Sequence, residues 1–180
     1  WDHIAYFRNV FVHGDLEHPG LLEMSECFLK DHQIKLNLTE LVTHSGNAVY
    51  SNNVVAKPKY WRAWLELADA LFKYVEDGKN ANARAIQKET RYGARKAPMR
   101  AFVQERLPAV LIQLENFRVA TLDTSVSASI SDLFQNNVRS RRLLQVCDQL
   151  KQDFTKKDDK NYLELYEKLC QLVPHGSRMN

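Results

Sequence analysis

Residues 60–75 read YWRAWLELADALFKYV, and this stretch decides the fold class of the chain. Its apolar side chains recur every three or four positions, as one face of a helix requires: Trp61, Trp64, Leu65, Ala68, Leu71, Phe72 and Val75. Pro58 precedes the stretch at a position where a helix needs no amide donor, and Gly78 follows it. We therefore expect a long amphipathic helix between these two residues.

Further helical patterns lie on both sides of this stretch. Apolar spacing predicts a short helix after Pro19 and another helix over residues 99–114. Pro108 lies inside the second pattern, where it should kink the helix or divide it into two abutting helices. The last third predicts two antiparallel helices that are joined by a charged turn at residues 156–160.

Signals for β-structure are fewer and shorter. Residues 47–56 and 117–122 are β-rich runs that predict short strands. Residues 77–98 predict a polar surface segment with one short helix over 82–89. The predicted fold class is therefore α+β and helix-rich, with short strands packed against amphipathic helices and a C-terminal antiparallel helix pair.

The composition of the 180 residues, 44% apolar and 26% charged, is that of one ordinary globular domain. The apolar runs are only a few residues long, so we expect no membrane-spanning helix. Cys27, Cys147 and Cys170 are an odd number without metal-ligand spacing, which indicates a reducing compartment and a cytoplasmic location. Because the sequence begins at Trp1 rather than Met, we expect a fragment or a numbering that starts inside a longer protein.

The net charge of +3 is unevenly distributed. Residues 57–119 hold thirteen Lys and Arg against seven Asp and Glu, whereas residues 1–56 hold three against seven. A basic middle attracts phosphate-bearing ligands, nucleic acids or anionic lipid surfaces, although no nucleic-acid-binding motif accompanies it. Within it, Arg91, Arg95 and Lys96 could clamp a diphosphate or only solvate a surface segment.

The densest group of reactive side chains lies ahead of the helix predicted after Pro19, in the run HGDLEHPG over residues 13–20. Two imidazoles and two carboxylates in a loop at a helix start can hold a ligand hydroxyl or a metal, and the glycines let a ligand approach the backbone. The histidine spacing does not match a zinc-binding helix, and Asp15 with Glu17 could equally cap the helix.

A charged pair, Glu105 and Arg106, interrupts the apolar helix pattern of residues 102–107. Burying an unpaired charge is costly, so the pair is either satisfied within the core or forms the floor of a polar site. A carboxylate beside apolar walls is also how a base with a raised pKa is built.

Polar groups that suit a sugar precede the long helix. Asn52 and Asn53 interrupt a β-rich run, and short amides at a strand end commonly bind ligand hydroxyls or close a turn. Lys57 lies beside them. Trp61 and Trp64 follow, and their rings either stack on a sugar or belong to the core.

Four segments, taken in their order, resemble the acceptor-side half of bacterial glycosyltransferases of the single-Rossmann type that build surface polysaccharides. They are HGDLEHPG over residues 13–20, YSNNVVAKPKYW over 50–61, FVQERL over 102–107 and FRVA over 117–120. In such enzymes a strand ending in Asn runs into a Lys-Pro and Trp helix, and a Glu-Arg-Leu helix is followed by a short strand. The resemblance spans about residues 6–123. It divides the chain into a glycosyltransferase-like acceptor-side region, 1–125, and a C-terminal helical appendage, 126–180.

The resemblance implies transfer of a sugar from a nucleotide-sugar donor to a hydroxyl of a glycan acceptor. Asp15 or Glu105 would be the base that takes the hydroxyl proton. The implied substrate-binding set, with the asparagines nearest the sugar and the histidines nearest a donor phosphate or metal, is His13, His18, Asn52, Asn53, Lys57 and Arg106.

The resemblance also implies a part that this sequence lacks. The nucleotide-binding half of the family supplies an Asp-x-Asp metal pair, and no such pair occurs in these 180 residues. A divalent metal, Mn²⁺ or Mg²⁺, would arrive with that half, and the present chain alone would bind donor weakly. The expected partners are a nucleotide sugar and a glycan acceptor, in the cytoplasm or at the inner face of the membrane. No nucleic acid is expected, and the oligomeric state is left open.

A non-enzymatic alternative fits the helix-rich pattern as well. In it the chain is a helical protein-interaction module whose basic face contacts another protein or an anionic surface. This alternative needs no missing half, and it predicts an exposed apolar or basic face without a concave polar pocket.

Overall fold

The computed structural model describes residues 1–49, 54–115, 117–122 and 130–176. Helices dominate these residues, and two strands form one small antiparallel sheet, which confirms the predicted helix-rich α+β class. The helices are α1 (Asp2–Tyr6), α2 (Val10–Glu17), α3 (Leu21–Asp31), α4 (Pro58–Asp77), α5 (Ala81–Gln87), α6 (Met99–Gln104), α7 (Leu107–Glu115), α8 (Val138–Lys157) and α9 (Lys160–Cys170); the strands are β1 (Glu89–Tyr92) and β2 (Arg95–Pro98).

The long helix α4 begins and ends as its sequence predicts. Pro58 is its first residue, and Gly78 follows its last residue in the left-handed conformation, with φ at 54°. Side chains of one face are buried, namely Tyr60, Leu67, Leu71 and Val75. Trp61 and Trp64 are only half-buried, and their rings meet edge to face at 6.0 Å.

The helix predicted over residues 99–114 is two abutting helices, as expected from Pro108. α6 ends at Gln104, and α7 begins at Leu107, one residue before the proline. Pro108 therefore lies in the first turn of α7, where its missing amide hydrogen leaves no helical hydrogen bond unmade.

The strand predictions are corrected by the structure. Residues 47–49, 54–56 and 117–122, the described parts of the two β-rich runs, form no strand, because a β-rich run needs a hydrogen-bonding neighbour to become one. The sheet is instead the hairpin β1–β2 inside the segment predicted to be polar surface, with Tyr92 opposite Arg95. Gly93, with φ at 58°, begins the two-residue turn that permits this hairpin.

The predicted C-terminal helix pair is confirmed. α8 and α9 pack together and are joined by Asp158 and Asp159. The Asp159 side chain accepts a hydrogen bond from the Asn161 amide at 3.0 Å and so caps α9. The apolar side chains buried around the pair are Val42, Cys147, Leu150, Leu163 and Tyr166.

The chain forms two compact units. One comprises Trp1–Asn9, Val42–Ala48 and Val119–Asn180, and the other comprises Val10–Leu41 and Val49–Arg118. We call them the terminal unit and the middle unit. The C-terminal helices thus share a unit with α1, whereas the sequence suggested a contiguous appendage starting at residue 126.

Candidate functional site

The predicted site residues with described positions lie in the middle unit. Arg106 follows α6 and is 5% exposed. Its Nε donates to the carbonyl of Val10 at 2.9 Å, and its Nη1 donates to the carbonyl of Phe102 at 2.7 Å. α2 and α6 are therefore linked through one buried guanidinium.

Gly14 lets α2 approach this guanidinium. A Cβ atom at Gly14 would lie 2.4 Å from Nε of Arg106 and 2.8 Å from its Cζ, well inside the contact distance of real atoms. The guanidinium donates hydrogen bonds to two carbonyls, so moving it aside would break them. Glycine is required here because of close packing.

His18, at the end of the same segment, stacks on α6. Its ring lies 3.6 Å from the ring of Phe102, centroid to centroid, and the side chain is buried. Burial lowers the pKa of His18, and the Arg106 guanidinium lowers it further, against a hydrogen bond to the Arg91 backbone and the charge of Glu17. The ring is therefore neutral at neutral pH.

Asp15 caps a helix. Its Oδ1 accepts hydrogen bonds from the amides of Gly20 at 3.0 Å and Leu22 at 3.1 Å, at the start of α3. Asp15 thus acts as a cap through Oδ1, one of its two carboxylate oxygens. The loop expected at residues 13–17 is wrong, because these residues form the second half of α2 and only His18 to Gly20 make the turn.

Glu105, the other carboxylate proposed as a base, is partly exposed. Its side chain is 41% exposed, and its Oε2 lies 4.0 Å from Nη1 of Arg106. Glu105 and Arg106 therefore form only a long ion pair. The hydrogen bonds from Nε and Nη1 of the guanidinium go to backbone carbonyls instead.

The remaining predicted residues are placed unevenly. His13 is buried in α2, and Lys57 is exposed at the N-cap position of α4. Asn52 and Asn53 lie outside the described residues. The structure thus brings the segment of residues 13–18 together with α6, and it describes no contact of the two asparagines.

The basic hairpin borders this cluster. The ring of Tyr92 lies 5.5 Å from that of Phe102. Arg91 and Lys96 are directly opposite each other and exposed, and Arg95 is exposed beside them. Like charges directly opposite each other destabilise a hairpin, because they repel. An anion bound between Arg91 and Lys96 would reduce this repulsion.

Comparison with known proteins identifies no relative. No family model, curated protein or solved structure matches this chain. No helix in the described ranges is long and apolar enough to cross a membrane.

A second polar cluster, in the terminal unit, was missed by sequence reasoning. Lys151 on α8 is 0% exposed, and its Nζ donates to the carbonyls of Ile4, Phe7 and Thr43, the last two at 2.7 Å. Burial lowers the pKa of Lys151 to about 8, with Asp148 acting against the shift, so the ammonium persists at neutral pH.

Asp148 connects the same helix to the segment before residue 48. Its two oxygens accept from the amide of Ser45 at 2.8 Å and from the hydroxyl of Ser45 at 2.5 Å. The sequence does carry a signal for this cluster: Leu144, Cys147 and Lys151 have helical spacing, so a charge falls on the apolar stripe. Its partners lie 103 to 147 residues away in the sequence and have no local signature.

Proposed function

We propose that this chain is a glycosyltransferase-like, acceptor-side domain that helps transfer a sugar from a nucleotide sugar to a glycan hydroxyl. One observation carries the proposal. Two of the four segments that resemble such enzymes, about 85 residues apart in the sequence, meet through Gly14, His18, Phe102 and Arg106. Buried contacts of this kind give a rigid support on which substrate groups can be positioned.

Glu105 is the better candidate for the base. One oxygen of Asp15 already accepts two amide hydrogens, whereas the Glu105 carboxylate is 41% exposed, so that an acceptor hydroxyl can reach it. In the reaction the hydroxyl oxygen bonds to the anomeric carbon, the bond from that carbon to the diphosphate breaks, and Glu105 takes the hydroxyl proton. Asp15 then acts by holding the turn before α3.

The departing diphosphate needs positive charge. Arg91, Arg95 and Lys96 supply it on the exposed hairpin, whose Tyr92 ring contacts Phe102. Arg106 contributes through its long-range field, since its Nε and Nη1 already donate to carbonyls.

The divalent metal implied by the resemblance would arrive with the nucleotide-binding half, so its ligands are not expected in this chain. Across the described ranges, no three His, Cys, Asp or Glu side chains are grouped so that they could hold an ion. No step is therefore derived through a metal.

The test is release of nucleoside diphosphate from a panel of nucleotide sugars incubated with the chain and bacterial surface glycans, with Mg²⁺ and Mn²⁺ supplied. The nucleotide sugars are used at millimolar concentration, because the chain without the nucleotide-binding half should bind donor weakly. We expect release with at least one donor and a fall of about 100-fold or more in Glu105→Gln, the size typical of losing a general base. Glu66→Gln, on the exposed side of α4, is the matched control and should leave the rate unchanged. No release with any donor, or equal rates in both variants, would contradict the proposal.

A second function, binding of a partner protein, is favoured by α4. Leu65 and Phe72 are each 58% exposed, and with the half-buried Trp61 they form a second apolar stripe along this helix. If the chain is an interaction module, Leu65→Glu and Phe72→Glu abolish co-purification with the partner, whereas Asp15→Ala and Glu105→Ala leave it intact.

A further inference from the structure

Two of the three cysteines lie against each other in the terminal unit. Cys147 is fully buried on α8, and Cys170, the last residue of α9, is half-buried. Their Sγ atoms are 3.9 Å apart. A disulfide has a sulfur–sulfur distance of about 2.05 Å, so the sulfurs must approach by roughly 2 Å, which small rotations of the two side chains can supply.

The surroundings of the pair make its two sulfurs different. Tyr166 precedes Cys170 by one helical turn, and Lys151 follows Cys147 by one turn. The contact with the Cys147 thiol lowers the pKa of Cys170, as do Tyr166 and the Lys151 ammonium, against the effects of burial and of Glu167. The same link, together with burial, raises the pKa of Cys147. Cys170 is also the more exposed of the two residues, so it is the one that a peroxide reaches and the one we assign as the nucleophile.

We propose that Cys147 and Cys170 are a redox-active pair which a peroxide converts to a disulfide between α8 and α9. The Cys170 thiolate attacks one peroxide oxygen, the O–O bond breaks, and the other oxygen leaves as water after taking a proton. Cys170 is then a sulfenic acid. The Cys147 sulfur attacks that sulfur, the S–O bond breaks, and the hydroxyl leaves as water with the Cys147 proton. Overall, two thiols are oxidised and one peroxide is reduced to two waters.

The geometry favours this product over further oxidation of Cys170. A sulfenic acid is held as a disulfide when a second thiol is close enough to attack before more peroxide arrives. Cys147 is already in contact with Cys170, and the bond would join the middle of α8 to the end of α9. Cys170 also lies 3.5 Å from the Tyr6 carbonyl, which retains the hydrogen bond from the Tyr166 hydroxyl when the thiol is consumed.

The experiment treats the whole chain with hydrogen peroxide, blocks remaining thiols with an alkylating reagent, and identifies linked peptides by mass spectrometry. We expect a peptide pair joined through Cys147 and Cys170, with Cys27 alkylated, and we expect a dithiol reductant to restore both thiols. Cys27, half-buried on α3 in the middle unit, is the internal control.

Variants separate the two steps. Cys147→Ala should stop at sulfenic or sulfinic acid on Cys170, Cys170→Ala should leave Cys147 unoxidised at the same dose, and Cys27→Ser should still form the disulfide. A circular-dichroism spectrum of each variant checks that it is folded. Oxidation of Cys27 before the pair, disulfides between chains, or irreversible oxidation of Cys170 in the unaltered protein would overturn the proposal.

Discussion

At the scale of single residues, the terminal unit depends on one buried ammonium. Lys151 donates to three carbonyls, and Lys151→Met removes all three donors while retaining an apolar stem of similar length. Buried carbonyls without donors are costly, so we expect the free energy of unfolding in urea to fall by about 3 kcal/mol or more. Lys156→Met, an exposed change on the same helix, should cost less than about 0.5 kcal/mol. Equal losses would contradict this role.

His44 should make stability depend on pH. Burial, helped by the charges of Lys151 and Lys156 and opposed by Asp148, lowers its pKa from 6.5 to about 4. Its Nδ1 accepts from the Gly46 amide at 3.0 Å, an interaction that protonation at this nitrogen would end. The unfolded chain takes up the proton as the pH falls below 6.5, whereas the folded chain does not until about 4.

The contribution of His44 to stability is therefore complete above pH 6.5 and is lost as the pH falls toward 4. We expect a loss of about 2 kcal/mol between pH 7 and pH 5 in urea unfolding. His44→Asn keeps an acceptor for the Gly46 amide but does not titrate, so its stability should fall less over this range. The same fall in both proteins would exclude His44 as the cause.

Individual residues were predictable where their signals are local. Glu105 and Arg106 stand out because charges interrupt an apolar helix. The sequence does not reveal that Arg106 donates to backbone carbonyls while Glu105 stays 41% exposed. The role of Lys151 was not predictable, because the carbonyls of Ile4, Phe7 and Thr43 that it bonds are set by the tertiary fold.

At the scale of helices and strands, the candidate site depends on the packing of α2 against α6. Gly14→Ala places a methyl group 2.4 Å from Nε of Arg106, so either the helices separate or the guanidinium leaves its carbonyls. We expect a loss of about 2 kcal/mol or more in unfolding free energy. In the double variant with Arg106→Met the methyl group gains room, so the two losses should be less than additive. Strict additivity would show that the clash does not occur.

Helices whose ends are marked by proline or glycine were predicted well. Pro58 and Gly78 bound α4, and Pro108 separates α6 from α7. Strands were predicted poorly. Residues 117–122 have a β-rich composition, but a strand also needs a neighbouring strand, and composition does not show whether the described structure supplies one. The hairpin at residues 89–98 was missed because its strands are polar, although Gly93 offered a turn signal.

At the scale of the whole molecule, the division into units could not be predicted from the sequence. The terminal unit combines the C-terminal helices with Trp1–Asn9 and Val42–Ala48. Asp148 and Lys151 on α8 form hydrogen bonds with the backbone of these two segments, and such long-range contacts have no local signal in the sequence. The excess of positive charge in residues 57–119, by contrast, is visible from the sequence and includes the exposed hairpin of the middle unit.

Under the proposed function, the anionic donor should bind at the positive charge of the hairpin. Arg91→Gln with Lys96→Gln removes the opposed pair of the hairpin, and Arg139→Gln with Arg142→Gln removes the same charge from exposed positions on α8. We expect the first variant to bind a nucleoside diphosphate about tenfold more weakly, since charge-assisted hydrogen bonds to phosphate are lost. The second should bind as the unaltered chain does.

The most direct test of the account is a two-dimensional NMR titration of the chain with nucleoside diphosphates and nucleotide sugars at millimolar concentration, where weak binding is visible. The account predicts chemical-shift changes confined to residues 13–18, 89–98 and 102–106, reduced in the hairpin variant and retained in the α8 variant. No change with any ligand, or changes centred on other residues such as the depression lined by 30 and 33–37, would contradict it.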